Sequence, residues 1–134
     1  MESSRSTSIK SSAANSYRYT LKPYTTCTWQ IETTKGYIVQ LTFDDMAIRS
    51  CSDCSCGYVR VRDGSGLSAQ SFGTFCNNNY PTVVASTGNH MFIEFYAQGT
   101  FDFFKATIRS KESGIFCSDF RVEKRVSLLI IHIH

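Results

Sequence analysis

Apolar and polar residues alternate along most of this chain. The cleanest run is YIVQLTF at residues 37–43, with Tyr37, Val39, Leu41 and Phe43 on one side and Ile38, Gln40 and Thr42 on the other. Successive side chains of a strand point to opposite faces, so a period of two predicts a strand buried on one side. Residues 27–32 repeat the pattern, with Cys27, Trp29 and Ile31 opposed to Thr28, Gln30 and Glu32. So do residues 58–62, where Val59 and Val61 oppose Arg60 and Arg62, and residues 90–97, where Met91, Ile93 and Phe95 oppose His90, Phe92, Glu94 and Tyr96. In residues 103–108 Phe104, Ala106 and Ile108 turn inward and Lys105 and Thr107 outward, with Arg109 continuing the outward row. Shorter strands are expected at 71–76 and 82–86, and a weaker one at 17–21. Asp44-Asp45 is expected to end the strand at 37–43, leaving 46–48 as a short link.

Turn residues punctuate these runs. Pro23, Lys35-Gly36, Asp63-Gly64, the Gly- and Ser-rich 64–70, the Asn77-Asn78-Asn79 run, Thr87-Gly88-Asn89 and Gly99 each interrupt the alternation. Helical spacing is confined to residues 119–127. Short strands every ten residues or so with polar turns between them predict an all-β antiparallel β-sandwich. The sandwich is assigned to residues 16–110. Residues 1–15, rich in serine, are expected to be a flexible lead-in or a poorly held first strand, and residues 111–134 a poorly ordered or helical tail.

Composition narrows the class. A chain of 134 residues holds one core, and 13% aromatic with only 19% charged residues suits an aromatic sandwich interior. A net charge of +3 is too mild for a nucleic-acid-binding surface. The apolar run near the C-terminus is far too short to span a bilayer, so no membrane span is expected in this chain. Six cysteines point to an oxidising compartment and to a secreted protein or the extracellular region of a larger one. Residues 1–16 lack the apolar stretch of a secretory signal, and the chain is therefore expected to be a module of a longer secreted protein or to have its true start elsewhere.

Three chemistries are tested against the residues. Cys51, Cys54, Cys56 and Cys76 could offer four thiolates to zinc, as a zinc-stabilised cysteine-rich module would, but the second closely spaced pair of such modules is missing. Catalysis needs a base beside a nucleophile; His90 alone lies within the predicted sandwich, on an outward face, so neither an enzyme nor a cofactor is expected. Binding fits better. The outward aromatics Phe92, Tyr96, Phe101 and Phe103 suggest a protein contact site. If their strands share one sheet, Arg60, Arg62, Lys105 and Arg109 would make a basic surface for a sulfated glycan or an acidic protein, the plainer reading being solvated strand exteriors.

Several segments in order resemble the CUB domain: Cys27-Thr28-Trp29-Gln30-Ile31; Val39, Leu41 and Phe43; Cys54 with Tyr58-Val59, Val61-Arg62-Asp63-Gly64; Phe72-Gly73 and Phe75-Cys76; Pro81; Ser86-Thr87, Asn89, Met91, Ile93 and Phe95; and Phe104-Lys105-Ala106. The resemblance covers roughly residues 16–110. It implies a jelly-roll-like extracellular sandwich that serves as a protein–protein interaction module without catalytic activity. A carbohydrate- or glycosaminoglycan-binding protein of the spermadhesin sort, built on the same fold, is the alternative.

The resemblance also implies a disulfide between Cys54 and Cys76. The family's first cysteine has no counterpart in residues 1–26, which leaves Cys27 free or unusually paired. Cys51 and Cys56 are candidates for a local bridge, leaving Cys117 for Cys27 or for a neighbouring module. Many CUB domains hold calcium through three acids, but the matching positions here are Arg49, Gly57 and about Gln98. No metal site is therefore expected, with Asp44, Asp45 and Asp53 the nearby acids of a non-standard one.

Overall fold

The computed structural model describes residues 6–10, 25–49, 51–77, 79–99, 102–112 and 129–133. Among these the chain forms β1 (Ser6–Lys10), β2 (Thr25–Glu32), β3 (Tyr37–Ala47), β4 (Gly57–Asp63), β5 (Gln70–Phe75), β6 (Val83–Ala85), β7 (His90–Ala97), β8 (Phe103–Glu112) and β9 (Ile130–Ile133), with one 3-10 turn at Ser52–Cys54. All pairings are antiparallel. One sheet has the order β1-β8-β3-β6 and the other β5-β4-β7-β2-β9, and the two pack face to face. The all-β sandwich anticipated from the alternation is the architecture found.

The core is the set of residues that the period of two turned inward. Val39, Leu41, Val59, Val61, Met91, Ile93, Phe95, Phe104, Ala106 and Ile108 are all fully buried. Phe104 on β8 bridges the sheets: its ring meets Trp29 of β2 edge-on at 5.3 Å and Phe95 of β7 at 5.4 Å, and lies 6.4 Å from Phe43 of β3. Burying one side chain of this kind stabilises by roughly 2–3 kcal/mol. Buried hydroxyls are paired: Thr33 Oγ1 and Ser110 Oγ are 2.6 Å apart, and Ser86 Oγ accepts from the Val39 N–H at 2.8 Å.

The structure departs from the local pattern at three places. Strand β3 does not stop at Asp44-Asp45; a bulge between Phe43 and Asp45 lets it run to Ala47 and turns Met46 into the core. The serine-rich start contributes β1, which pairs with β8 through backbone groups that need no apolar side chains. In the tail, Ile130–Ile133 is neither helical nor loose: it pairs with β2 as the fifth strand of its sheet and covers what would be an exposed edge. The weak strand at 17–21, the helical spacing at 119–127, and Cys117 and Phe101 lie outside the described residues.

Candidate functional site

The Arg-Asp-Gly end of β4 is structural. Arg62 donates from Nε to Glu94 Oε1 at 2.9 Å and from a terminal nitrogen to the Ala69 carbonyl at 3.0 Å, which ties β4 to β7 and to the β4–β5 loop. Asp63 accepts from the Thr87 N–H at 2.9 Å and from its hydroxyl at 2.8 Å, closing the turn before β7. Arg62 is therefore engaged by its own fold.

Arg60 is placed differently. Its guanidinium carbon lies 4.4 Å over the Tyr58 ring, its Nε donates to Thr74 Oγ1 at 2.9 Å, and a terminal nitrogen is 3.9 Å from Glu94. Tyr58 meets Tyr96 across the β4–β7 ladder with centroids 5.6 Å apart. Tyr96 Oη accepts from Gln98 Nε2 at 3.1 Å, and the Gln98 backbone N–H donates to the Cys56 carbonyl at 3.1 Å. All three side chains are half-buried on the outer face of the five-stranded sheet, beside the cysteine-tied loop.

That loop is held by two disulfides, Cys51–Cys56 and Cys54–Cys76, with Cα separations of 5.6 and 5.7 Å. The pairing uses all four thiols that a zinc module would need. Among the described residues no three His, Cys, Asp or Glu side chains cluster as metal ligands. Cys27 carries a free thiol, half-buried on β2, and desolvation pushes its pKa up.

Arg49, Gly57 and Gln98, the positions at which the resemblance would put calcium-binding acids, carry no carboxylate. A side chain on Gly57 would place its Cβ 2.9 Å from the Tyr96 carbonyl oxygen and 3.0 Å from Ile48. Gln98 turns its amide to Tyr96 and to the Ser55 carbonyl. The nearby buried carboxylate, Asp102, accepts backbone N–H groups from Arg49 at 3.1 Å and Gly99 at 3.2 Å, while the Arg49 guanidinium also closes on Gly99.

Three sequence expectations are corrected here. Arg60 and Arg62 lie on the five-stranded sheet, whereas Lys105 and Arg109 lie on the four-stranded one, so the four do not form one basic surface. Phe92 is buried, 6% exposed, between Arg62 and Gln30 on its neighbouring strands, whose long side chains flank it. Phe103 sits on β8 opposite Ala47, away from Tyr96, so these outward aromatics are not one patch. Tyr58 was missed because a lone tyrosine at a strand start carries no local signal of what stacks on it.

Comparison with known proteins places this geometry. Residues 3–105 match the CUB domain. Over 79 residues the chain is 33% identical to human tolloid-like protein 1, covering 59% of this chain and 8% of that protein. Over 77 residues it is 35% identical to the inactive serine protease PAMR1 of Xenopus tropicalis, covering 58% of this chain and 11% of that protein. The chain thus spans about a tenth of the length of these relatives. Among solved structures, the CUB1-EGF-CUB2 domain of human MASP-1/3 superposes with a TM-score of 0.64 at 25% identity, over 80% of this chain and 42% of that one. CUB domains are non-catalytic modules of extracellular proteins that mediate protein interactions. Matched over most of its length and folded as the same two-sheet sandwich, the chain belongs to the CUB domain family.

Proposed function

We propose that this domain is an extracellular binding module that takes a protein partner on the outer face of its five-stranded sheet, anchored by Tyr58, Arg60 and Tyr96. The observation that carries the reading is the stacked unit itself. Arg60 is held over Tyr58 and tethered to Thr74, and Tyr96 is held by Gln98. Tyrosine and arginine dominate the energetics of protein interfaces, and side chains ordered before binding lose less entropy on association. Glu94 offsets part of the positive charge, so the face suits a partner of mixed polar and aromatic surface better than a polyanion. The two disulfides support an oxidising, extracellular setting.

The test is a screen of the intact 134-residue chain against purified extracellular proteins, followed by binding measurements on the hits. Tyr58→Ala with Tyr96→Ala, or Arg60→Ala, should weaken a true partner by about tenfold or more while the thermal melt stays cooperative. Hits that bind all these folded variants as tightly as the parent would overturn the assignment of this face.

A further inference from the structure

The loop between β3 and β4 contains a small covalent ring with a strained backbone. Cys51–Cys56 closes it over a sequence separation of 5, and inside it Asp53 and Cys54 both stand in the left-handed region, at φ 55° and 58°. Among the described residues only Asn77 shares that conformation without being glycine. Asp and Asn enter the left-handed region readily, but Cys54 has no such compensation, because its side chain is committed to Cys76. Backbone of this kind persists only where its surroundings over-determine it, and the closure at Cys51–Cys56 supplies part of that constraint. The two disulfides also differ in access. Cys51 and Cys56 are half-buried among the exposed Ser52, Asp53 and Ser55, whereas Cys54–Cys76 is shielded at Cys76, which is 5% exposed.

The ring also holds the stacked face of the five-stranded sheet. Its last two carbonyls both receive Gln98: the Cys56 carbonyl accepts the Gln98 backbone N–H at 3.1 Å, and the Ser55 carbonyl accepts from Gln98 Nε2 at 3.4 Å. The same amide also donates to Tyr96 Oη at 3.1 Å. Tyr96 in turn meets Tyr58, and Tyr58 carries Arg60. A continuous run of contacts therefore joins the Cys51–Cys56 bond to the anchors of the face.

We propose that Cys51–Cys56 is a modification site, a bond that an extracellular dithiol reduces, disarming the Tyr58, Arg60 and Tyr96 face while the sandwich stays folded. The proposal rests on that face being the binding surface and adds its regulation. One thiolate of the dithiol attacks a sulfur of the pair; the Cys51–Cys56 bond breaks and a mixed disulfide forms. The dithiol's second sulfur then displaces the cysteine. The reagent leaves as a disulfide and both cysteines as thiols, two electrons and two protons having passed to the protein. Strained or exposed disulfides are the labile ones. Once open, the ring no longer imposes left-handed backbone at Asp53 and Cys54, Ser55 and Cys56 draw back from Gln98, and Tyr96 loses its tether. Cys54–Cys76 and the core strands keep their own constraints.

Dithiothreitol is the probe. With the free thiols of the intact chain alkylated first, a second alkylating label read by mass spectrometry reports which bond opens. Cys51 and Cys56 should take the second label at least about tenfold faster than Cys54 and Cys76. At that stage amide exchange at Gln98 and the ring NMR signals of Tyr58 and Tyr96 should change, while the amides of the fully buried Val61 and Ile93 stay protected. Cys51→Ala with Cys56→Ala should give the same altered signals without reductant. Should that variant fail to fold, Gln98→Ala, which leaves both disulfides intact, should shift the Tyr96 signals and leave the labelling order unchanged. Equal or faster opening of Cys54–Cys76, unchanged Tyr96 signals once Cys51–Cys56 is open, or loss of protection at Val61 and Ile93 each overturns the proposal. These readouts need no partner, so they stand or fall apart from the assignment of the face. For a partner that Tyr58→Ala with Tyr96→Ala weakens, opening the bond should reduce affinity by about threefold or more, and full affinity for the opened form overturns the switch while leaving the face.

Discussion

Among the described residues Arg62 and Glu94 form the closest ion pair on the outer face of the five-stranded sheet, Nε to Oε1 at 2.9 Å, with both side chains less than one-fifth exposed. The contact decides how the charge of β4 is used. Of two arginines that look equivalent in sequence, one is built into the sheet and the other is left stacked on a tyrosine.

Removing the carboxylate tests this division. Glu94→Gln leaves the Arg62 guanidinium partly buried without its counter-charge and should cost about 1–3 kcal/mol in urea unfolding. Arg60→Ala, whose partners are more exposed, should cost less than Arg62→Ala, which also gives up the Ala69 carbonyl. Equal losses for the two arginines would contradict the assignment of Arg62 as the structural member.

The disulfides should differ in weight. Cys54–Cys76 closes a separation of 22 residues and Cys51–Cys56 one of 5. On the chain-entropy account, removing the first should cost about 3 kcal/mol and the second about 2. Denaturation of the two double Cys→Ala variants gives the order, and a larger loss from the shorter loop would reject the entropic explanation.

Asp102 ties two loops together at one end of the sandwich. Its carboxylate accepts from Arg49 and Gly99, which belong to different loops. Adding calcium or a chelator should leave the melting temperature unchanged, while Asp102→Ala should lower stability by about 2 kcal/mol through unsatisfied donors. A calcium-dependent rise in melting temperature would show that the loop end binds the ion after all.

Cys27 gives a prediction in pH. The thiolate is the nucleophile, and desolvation pushes the thiol's pKa up, so at neutral pH the neutral form is held. Alkylation by iodoacetamide at pH 8 should run several-fold slower than for free cysteine, roughly in proportion to the thiolate fraction, and should accelerate as pH rises through the raised pKa. Rapid modification at pH 7 would mean that the thiol is more exposed than its place on β2 implies.

Much of this was legible in the residues. Alternation placed Val59, Val61, Ile93, Phe95 and Phe104 inward, and all are buried. The features missed lie in long-range pairing. Val59 is opposite Phe95 and Trp29 is opposite Ile133, partners far apart in the chain, and nothing within five residues of Ile133 reveals that β2 needs a neighbour there. The β3 bulge escaped for the same reason, since Asp44-Asp45 resembles a strand end until the pairing with β8 carries it through.

A period of two specifies the side of its own strand on which an apolar residue stands, because the backbone pleat is a local property. That was enough for the core and the all-β class; the family was legible only in the resemblance of particular motifs, such as Val61-Arg62-Asp63-Gly64 and Phe75-Cys76. The period says nothing of which strands lie side by side, because that follows from hydrogen-bond partners found only once the chain has collapsed on itself. Arg60 and Lys105 look alike as outward cations on alternating strands. Strand order alone put one beside Tyr58 and Glu94 and the other on the far side of the sandwich.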